Sequence, residues 1–203
     1  MRPCPVCGNT ECKDLGFYEP GYFYHLYACP CGMRYLDDER KTQAYYDEYY
    51  KFDTSPDLGT TEDIARLKAL AAALPEGRGL DVGGKWSYLK DIHQHDTLNA
   101  GEAIEGEYDY VILSHTLEHV YDVQGLMQKI YEHTLIGGKI IIEGPIWLSY
   151  NSVTYDHNWQ HLNKFTPASL EELLSRWFYR VETSERLPDL SEFNCWRVIG
   201  GKL

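Results

Sequence analysis

The sequence predicts an α/β protein: a doubly wound, mostly parallel sheet with an antiparallel edge, preceded by a small cysteine-rich module. Three observations carry this. From residue 60 onward, apolar runs that read as strands alternate with amphipathic helical runs, as βαβ units require. The last two strand-like runs follow one another with no helix between them, which makes them antiparallel neighbours. Ahead of all this, five of the six cysteines fall within the first 31 residues.

A chain of 203 residues, 43% hydrophobic, is long enough for one well-buried domain and an appendage. Its 19 Lys and Arg stand against 31 Asp and Glu, a net charge of −12. With no basic patch to offset it, that charge repels a phosphate backbone, so a small molecule is the expected partner rather than nucleic acid. No run approaches 18 apolar residues, and MRPCPVCG lacks the apolar centre of a signal peptide. A soluble, cytoplasmic protein with no membrane partner is expected.

The module spans residues 1–36. Its pattern is Cys4-x2-Cys7, then Cys12, then Cys29-x-Cys31, and without an export signal it reads as metal binding rather than as disulfides. Each paired motif ends in Gly, where the backbone can turn its N–H groups toward thiolate sulfur. Cys4, Cys7, Cys29 and Cys31 together offer the four soft ligands of a tetrahedral structural Zn2+. The second motif is one residue short of the usual spacing, so Cys12 and His25 stand as replacement ligands. A segment with so little aliphatic content needs a staple of this kind.

Residues 37–59 connect the module to the main domain, 60–203. Helical spacing places Tyr46 and Tyr50 on one face and Tyr45 and Tyr49 on the next, a pattern that by itself predicts packing between the two parts. "TTEDIARLKALAAALPEGRG" reads as a helix with Thr61 at its cap, Ile64, Leu67, Ala71 and Leu74 on its apolar stripe, and Pro75 at its end. "GLDVGGKWSYL" is an apolar strand running into Gly83 and Gly84. "YDYVILSHTLEHV" is a strand entering a polar turn, "VQGLMQKIYEHTL" an amphipathic helix, and "IGGKIIIEGP" a glycine turn into a buried strand. "TPASLEELLSRWF" is a helix capped by Thr166 with Pro167 at its first position, and "YRVETSERL" and "FNCWRVIGGKL" close the sheet. Ligands of such sheets lie beyond the carboxyl ends of the strands, so the loops "VGGKWSY", "SHTLEH" and "EGPIW" are expected to face one cleft. His93 and His95 read as exposed loop residues.

Several of these segments resemble a known family. Asp81-Val-Gly83-Gly84, the strand from Tyr108 ending in His115-Thr-Leu-Glu118-His119, the run from Gly137 to Pro145, and His161-Leu-Asn-Lys-Phe165-Thr166 before Ser169-Leu170 are similar in order and spacing to class I S-adenosylmethionine-dependent methyltransferases. The nearest branch carries an N-terminal zinc ribbon and a Tyr-rich helix and includes sugar C-methyltransferases. The resemblance implies a Rossmann-like sheet and S-adenosyl-L-methionine as cofactor, with a small-molecule acceptor that is sugar-like or nucleotide-linked. Gly83 and Gly84 would allow close backbone approach to the amino-acid tail of that cofactor, Asp81 would order the loop or meet the ammonium group, and Tyr46 and Tyr49 would close over the methionine end. Asp96 and Glu102 are the two candidates for the acid that grips the ribose.

Methyl transfer needs alignment, exclusion of water and, for a hydroxyl or an acidic carbon, a base. His115, Glu118 and His119, at the mouth of the central strand, are the candidates, with His119 foremost as base or acceptor anchor and His161 approaching from a lid. The competing role for Glu118 and His119 is to brace the following helix. His157 and His161 lie four apart in a Trp-rich loop, but a metal pair there would need carboxylate or thiolate company that the local sequence does not offer.

Two features depart from the family. Asp81 and Asp109 are 28 positions apart, where two strands and two helices need roughly 45, so about one βα unit is missing. Lys85 and Trp86 also stand where small residues would keep the loop open. Two readings follow: a working methyltransferase, or a zinc-containing, methyltransferase-like binding module without catalytic activity.

Overall fold

Three runs rich in aliphatic residues build the parallel centre of the molecule: β6 (Gly79–Val82), β8 (Tyr108–Ser114) and β9 (Thr134–Pro145). With β7 (Asp96–Leu98), β11 (Arg180–Arg186) and β12 (Cys195–Gly201) they form a six-stranded sheet in the order β11-β12-β9-β8-β6-β7. The computed structural model describes residues 2–19, 22–37, 61–84, 89–99, 101–145, 161–186 and 195–203. The expectations for Tyr45, Tyr46, Tyr49, Tyr50, Lys85, Trp86 and His157 lie outside the described residues.

β7, β6, β8 and β9 pair in parallel, β12 pairs antiparallel with β9, and β11 pairs antiparallel with β12. The reversed strand is therefore β12, one place in from the edge, and the edge strand β11 runs with the others. The chain crosses from β9 through a helix to β11 and then turns back to fill the gap. At the other edge β7 is followed directly by β8, which fits the expectation of a shortened middle.

Alternation along the central strands feeds two cores, as a sheet covered on both faces requires. Val111, Leu113, Ile140 and Ile142 face α3 (Val123–His133) and α4 (Pro167–Trp177), against Leu126, Met127, Ile130, Leu170, Leu173 and Leu174. Tyr110, Ile112 and Ile141 face α1 (Thr61–Ala73) and the short α2 (Leu89–Ile92), against Leu67, Leu70 and Leu89. Each such buried aliphatic side chain contributes about 1.5–3 kcal/mol by leaving water. The starts of α3 and α4 follow from their caps. Asp122 accepts from the Gly125 N–H at 2.9 Å, and Thr166 and Ser169 form a reciprocal capping box around Pro167.

The module folds as β1 (Lys13–Asp14), β4 (Leu26–Ala28) and β5 (Arg34–Leu36), with a hairpin of β2 (Phe17–Glu19) and β3 (Tyr22–Tyr24). Its sheet gains a fourth strand from far along the chain: β10 (Asn163–Lys164) pairs antiparallel with β5, Asn163 opposite Tyr35. Cys4, Val6, Cys29, Met33 and Tyr35 also join the core cluster on the α3–α4 face. A segment from beyond β9 thus completes the module's sheet, and the module and the α/β sheet share a core. No helix among the described residues is long and apolar enough to cross a membrane.

Candidate active site

Gly83 leaves the carboxyl end of β6 with φ +90°, a conformation that disfavours any side chain. Its N–H donates to the Leu98 carbonyl at the end of β7 (2.7 Å), and the Thr116 hydroxyl donates to the Val82 carbonyl (2.9 Å). The loops after β6, β7 and β8 are thereby laced together at one end of the sheet. A Cβ on Gly83 would overlap the Thr116 side chain, and one on Gly84 would overlap the Asp81 carboxylate. The glycine pair is thus a packing requirement as well as an opening.

Asp81 lies beneath this loop, 1% exposed, and neither of its carboxylate oxygens has a hydrogen-bond partner among the described residues. Burial pushes its carboxyl above the ordinary aspartate range, and the neighbouring His95 pulls it part of the way back. His95 Nε2 is 3.6 Å from Asp81 Oδ2, and its side chain is fully buried. His93 is half-buried, with its ring stacked on His95 and Nδ1 3.3 Å from the Tyr110 hydroxyl. Both histidines were expected in an exposed loop. The short α2 and the turn after it instead fold them back under β6, a placement that their polar neighbours in "HQHD" conceal.

Beyond β8, His115 takes φ +52°, uncommon for a residue with a side chain and frequent where a site imposes the backbone. A single 3-10 turn, Leu117–His119, then directs Glu118 inward. The Glu118 side chain is 3% exposed; His115 Nδ1 stands 3.5 Å and His119 Nε2 4.0 Å from its Oε1. Burial alone would raise this carboxyl, but His115, His119 and His161 together outweigh burial and bring it down to about 2. His161, just before β10, sets its ring edge-to-face against His119 with 4.9 Å between centroids. The fold thus brings together all four residues expected to act on the acceptor.

Asn163 clamps the same corner. Its amide donates to the Leu117 and Val120 carbonyls (2.8 and 2.6 Å), on either side of Glu118-His119, and its carbonyl oxygen accepts from Arg2 of the module (3.0 Å). Arg2 also donates to the Tyr121 and Leu36 carbonyls. A third group was not foreseen: Arg66 of α1 and Arg197 of β12 both pair with the buried Glu143 of β9, and Arg66 donates to the Ser114 hydroxyl at 3.0 Å. The available signal was a lone Glu inside the apolar run "KIIIEGP" and a lone Arg inside "CWRVI".

The two candidates for the ribose acid part company. Asp96 opens β7, on the side away from the glycine loop, and is held on the surface by Arg78 at 2.7 Å. Glu102 follows the carboxyl end of β7, where it accepts from the Asn99 backbone N–H and side-chain amide (3.0 and 2.9 Å). In the module, the Cys4–Cys31 and Cys7–Cys29 sulfurs are 3.7 and 3.3 Å apart, and all four lie within 4.8 Å of one another. A tetrahedron of sulfurs about 2.3 Å from zinc has edges of about 3.8 Å, so the four thiols fit that ion. The two replacement ligands are engaged elsewhere, Cys12 with the Asn9 carbonyl and His25 with Asp14.

A methyltransferase domain matches residues 34–181, most of the chain. The chain belongs to the methyltransferase-domain family. Solved structures of other methyltransferases share its fold. A 1,6-didemethyltoxoflavin-N1-methyltransferase of Burkholderia thailandensis, with bound 1,6-didemethyltoxoflavin and S-adenosylhomocysteine, superposes with a TM-score of 0.59 at 14% identity over 92% of this chain and 98% of that one. A methyltransferase of Thermotoga maritima described as a possible histamine N-methyltransferase gives 0.54 at 16% identity, covering 79% and 98%. A structure of the Haloferax volcanii Trm112 methyltransferase activator in complex with its partner protein gives 0.54 at 12%, covering 69% and 88%. No curated protein sequence matches the chain. At such identities the likeness speaks for the methyltransferase fold alone.

Proposed function

We propose that the chain is an S-adenosylmethionine-dependent methyltransferase acting on a small-molecule acceptor. The observation that carries this reading is the orphaned, buried carboxylate of Asp81 beneath the Gly83–Gly84 loop. A buried carboxylate without a hydrogen bond is costly, and the ammonium group of the cofactor's amino-acid tail is a donor it suits. Gly83 and Gly84, with no side chains, let the backbone approach the tail closely, and Glu102 is the better placed acid for the ribose diol. When bound, the cofactor supplies an activated methyl group on a sulfonium sulfur.

The acceptor side belongs to His115, Glu118, His119 and His161. Glu118 stays anionic and orients the histidines around it, while His119, with His161 against its ring, meets the acceptor as base or anchor. Zn2+ held by Cys4, Cys7, Cys29 and Cys31 keeps the module folded, and through β10 and Asn163 the module holds the acceptor corner in place.

The shortened sheet supports a second reading, a binding module that retains the cofactor site without turnover. Incubation with methyl-labelled S-adenosylmethionine and pooled sugar, nucleotide-sugar and small-alcohol acceptors separates the two. Label transferred to an acceptor supports the enzyme; cofactor binding with no transfer to any pool supports the module.

A further inference from the structure

Glu118, His119 and His161 each place one ligand atom within 4.8 Å of the others. Glu118 and His119 come from the turn after β8 and His161 from the approach to β10, 43 positions beyond Glu118. Glu118 Oε1 is buried and has no hydrogen-bond partner among the described residues, so a carboxyl oxygen stands in the site with an unfilled acceptor position. Two imidazoles and one carboxylate around such a point form the donor set of a first-row divalent cation.

We infer that Glu118, His119 and His161 form a second metal site, for a cation such as Mn2+, Fe2+ or Co2+, and that this ion anchors the acceptor through oxygen. The inference rests on the reading of this corner as the acceptor side of a methyltransferase. Metal–nitrogen and metal–oxygen bonds of about 2.0–2.2 Å need ligand atoms about 3 Å apart, so the three side chains close on the ion by small rotations. The backbone that carries them is already fixed: Asn163, two residues beyond His161, donates to the Leu117 and Val120 carbonyls that bracket Glu118-His119. His115, 3.5 Å from Glu118, is the outer partner that orients the carboxylate.

The donor set differs from that of the module. Four thiolates select zinc in a closed tetrahedron, whereas three N and O ligands leave positions open for water or substrate. An acceptor hydroxyl bound at an open position becomes more acidic. Its proton passes to water, the freed oxygen pair forms the bond to the methyl carbon, and the methyl–sulfur bond breaks with its electrons left on sulfur. His119 is then the acceptor's anchor through the ion, and the preferred acceptor is one that presents a hydroxyl beside a second oxygen.

The test titrates Mn2+ into zinc-loaded protein and follows the loss of the free-ion paramagnetic resonance signal, with S-adenosylhomocysteine affinity measured in parallel. The parent binds one Mn2+ per chain. Glu118→Gln and His161→Ala each weaken it at least about tenfold, the scale of losing a ligand or its support, while zinc content, melting temperature and S-adenosylhomocysteine affinity hold. Zinc-loaded parent that takes up neither Mn2+ nor Co2+ at millimolar ion overturns the site, as do variants that bind Mn2+ as the parent does. Uptake of the ion without S-adenosylhomocysteine binding would keep the metal site and refute the methyltransferase reading; the reverse result would refute the site alone.

Discussion

His95 and Asp81 face each other inside the protein, Nε2 to Oδ2 at 3.6 Å, too far for a hydrogen bond and with no other hydrogen-bond partner for either among the described residues. Burial raises the Asp81 carboxyl, with His95 and Arg66 pulling it down and Glu143 adding to the rise. The folded protein therefore holds the Asp81 proton more tightly than the unfolded chain. The contribution to stability is fully present below the ordinary aspartate range and is lost as pH rises through the raised folded value.

Asp81→Asn removes the charge and keeps the shape. It is expected to raise the melting temperature at neutral pH by a few degrees, where about 1 kcal/mol corresponds to about 2–4 °C for a chain of this size, with the gain vanishing toward pH 4. The same variant is expected to weaken cofactor binding about 10-fold or more, since a hydrogen bond to a charged group is lost. Thermal melts across pH together with calorimetry check both; a destabilised variant with unchanged affinity would show that Asp81 is a structural acid.

Much of the scaffold was legible in the sequence because periodicity and caps speak locally. The helix at Thr166-Pro167, the strand from Tyr108 and the alternation around Ile140–Ile142 each announce themselves within a dozen residues. The inward placement of His93, half-buried, and of the buried His95 side chain was not legible, because a polar run carries no mark of what folds over it. Nor was the company of His161: its carboxylate neighbour lies 43 positions upstream, and the two segments meet through Asn163 of β10, whose amide donates to the Leu117 and Val120 carbonyls. The place of β12 inside the edge is likewise a matter of crossover, which residue pattern does not encode.

The four-thiol site is expected to hold one zinc per chain. Cys12→Ser leaves the metal in place, because Cys12 lies outside the cluster, whereas Cys4→Ser loses it. Elemental analysis after purification without chelator decides; absence of zinc from the parent would count against the module as a metal fold.

Asn163→Ala leaves the Leu117 and Val120 carbonyls and the Arg2 guanidinium without this partner. A cost of roughly 2 kcal/mol is expected, the scale of buried polar groups left unsatisfied, with the acceptor corner loosened and the glycine loop unaffected. Denaturant unfolding and S-adenosylhomocysteine titration on the same variant test this, and a fall in cofactor affinity equal to that of Asp81→Asn would contradict it.

Glu143→Gln is expected to be the most destabilising of these changes, because Arg66 and Arg197 then share a buried site without their counter-ion. Breaking such a pair costs about 3–5 kcal/mol, measurable as a lowered denaturant midpoint. A variant as stable as the parent would mean that water reaches and solvates the two guanidinium groups.

The central claim, that this chain binds the methyl donor at the Gly83–Gly84 loop, is tested most directly by isothermal titration of S-adenosylmethionine into the zinc-loaded protein. The account predicts one molecule bound per chain, displaced by S-adenosylhomocysteine and weakened in Asp81→Asn. No binding at millimolar cofactor, with the protein folded and its zinc in place, would contradict it.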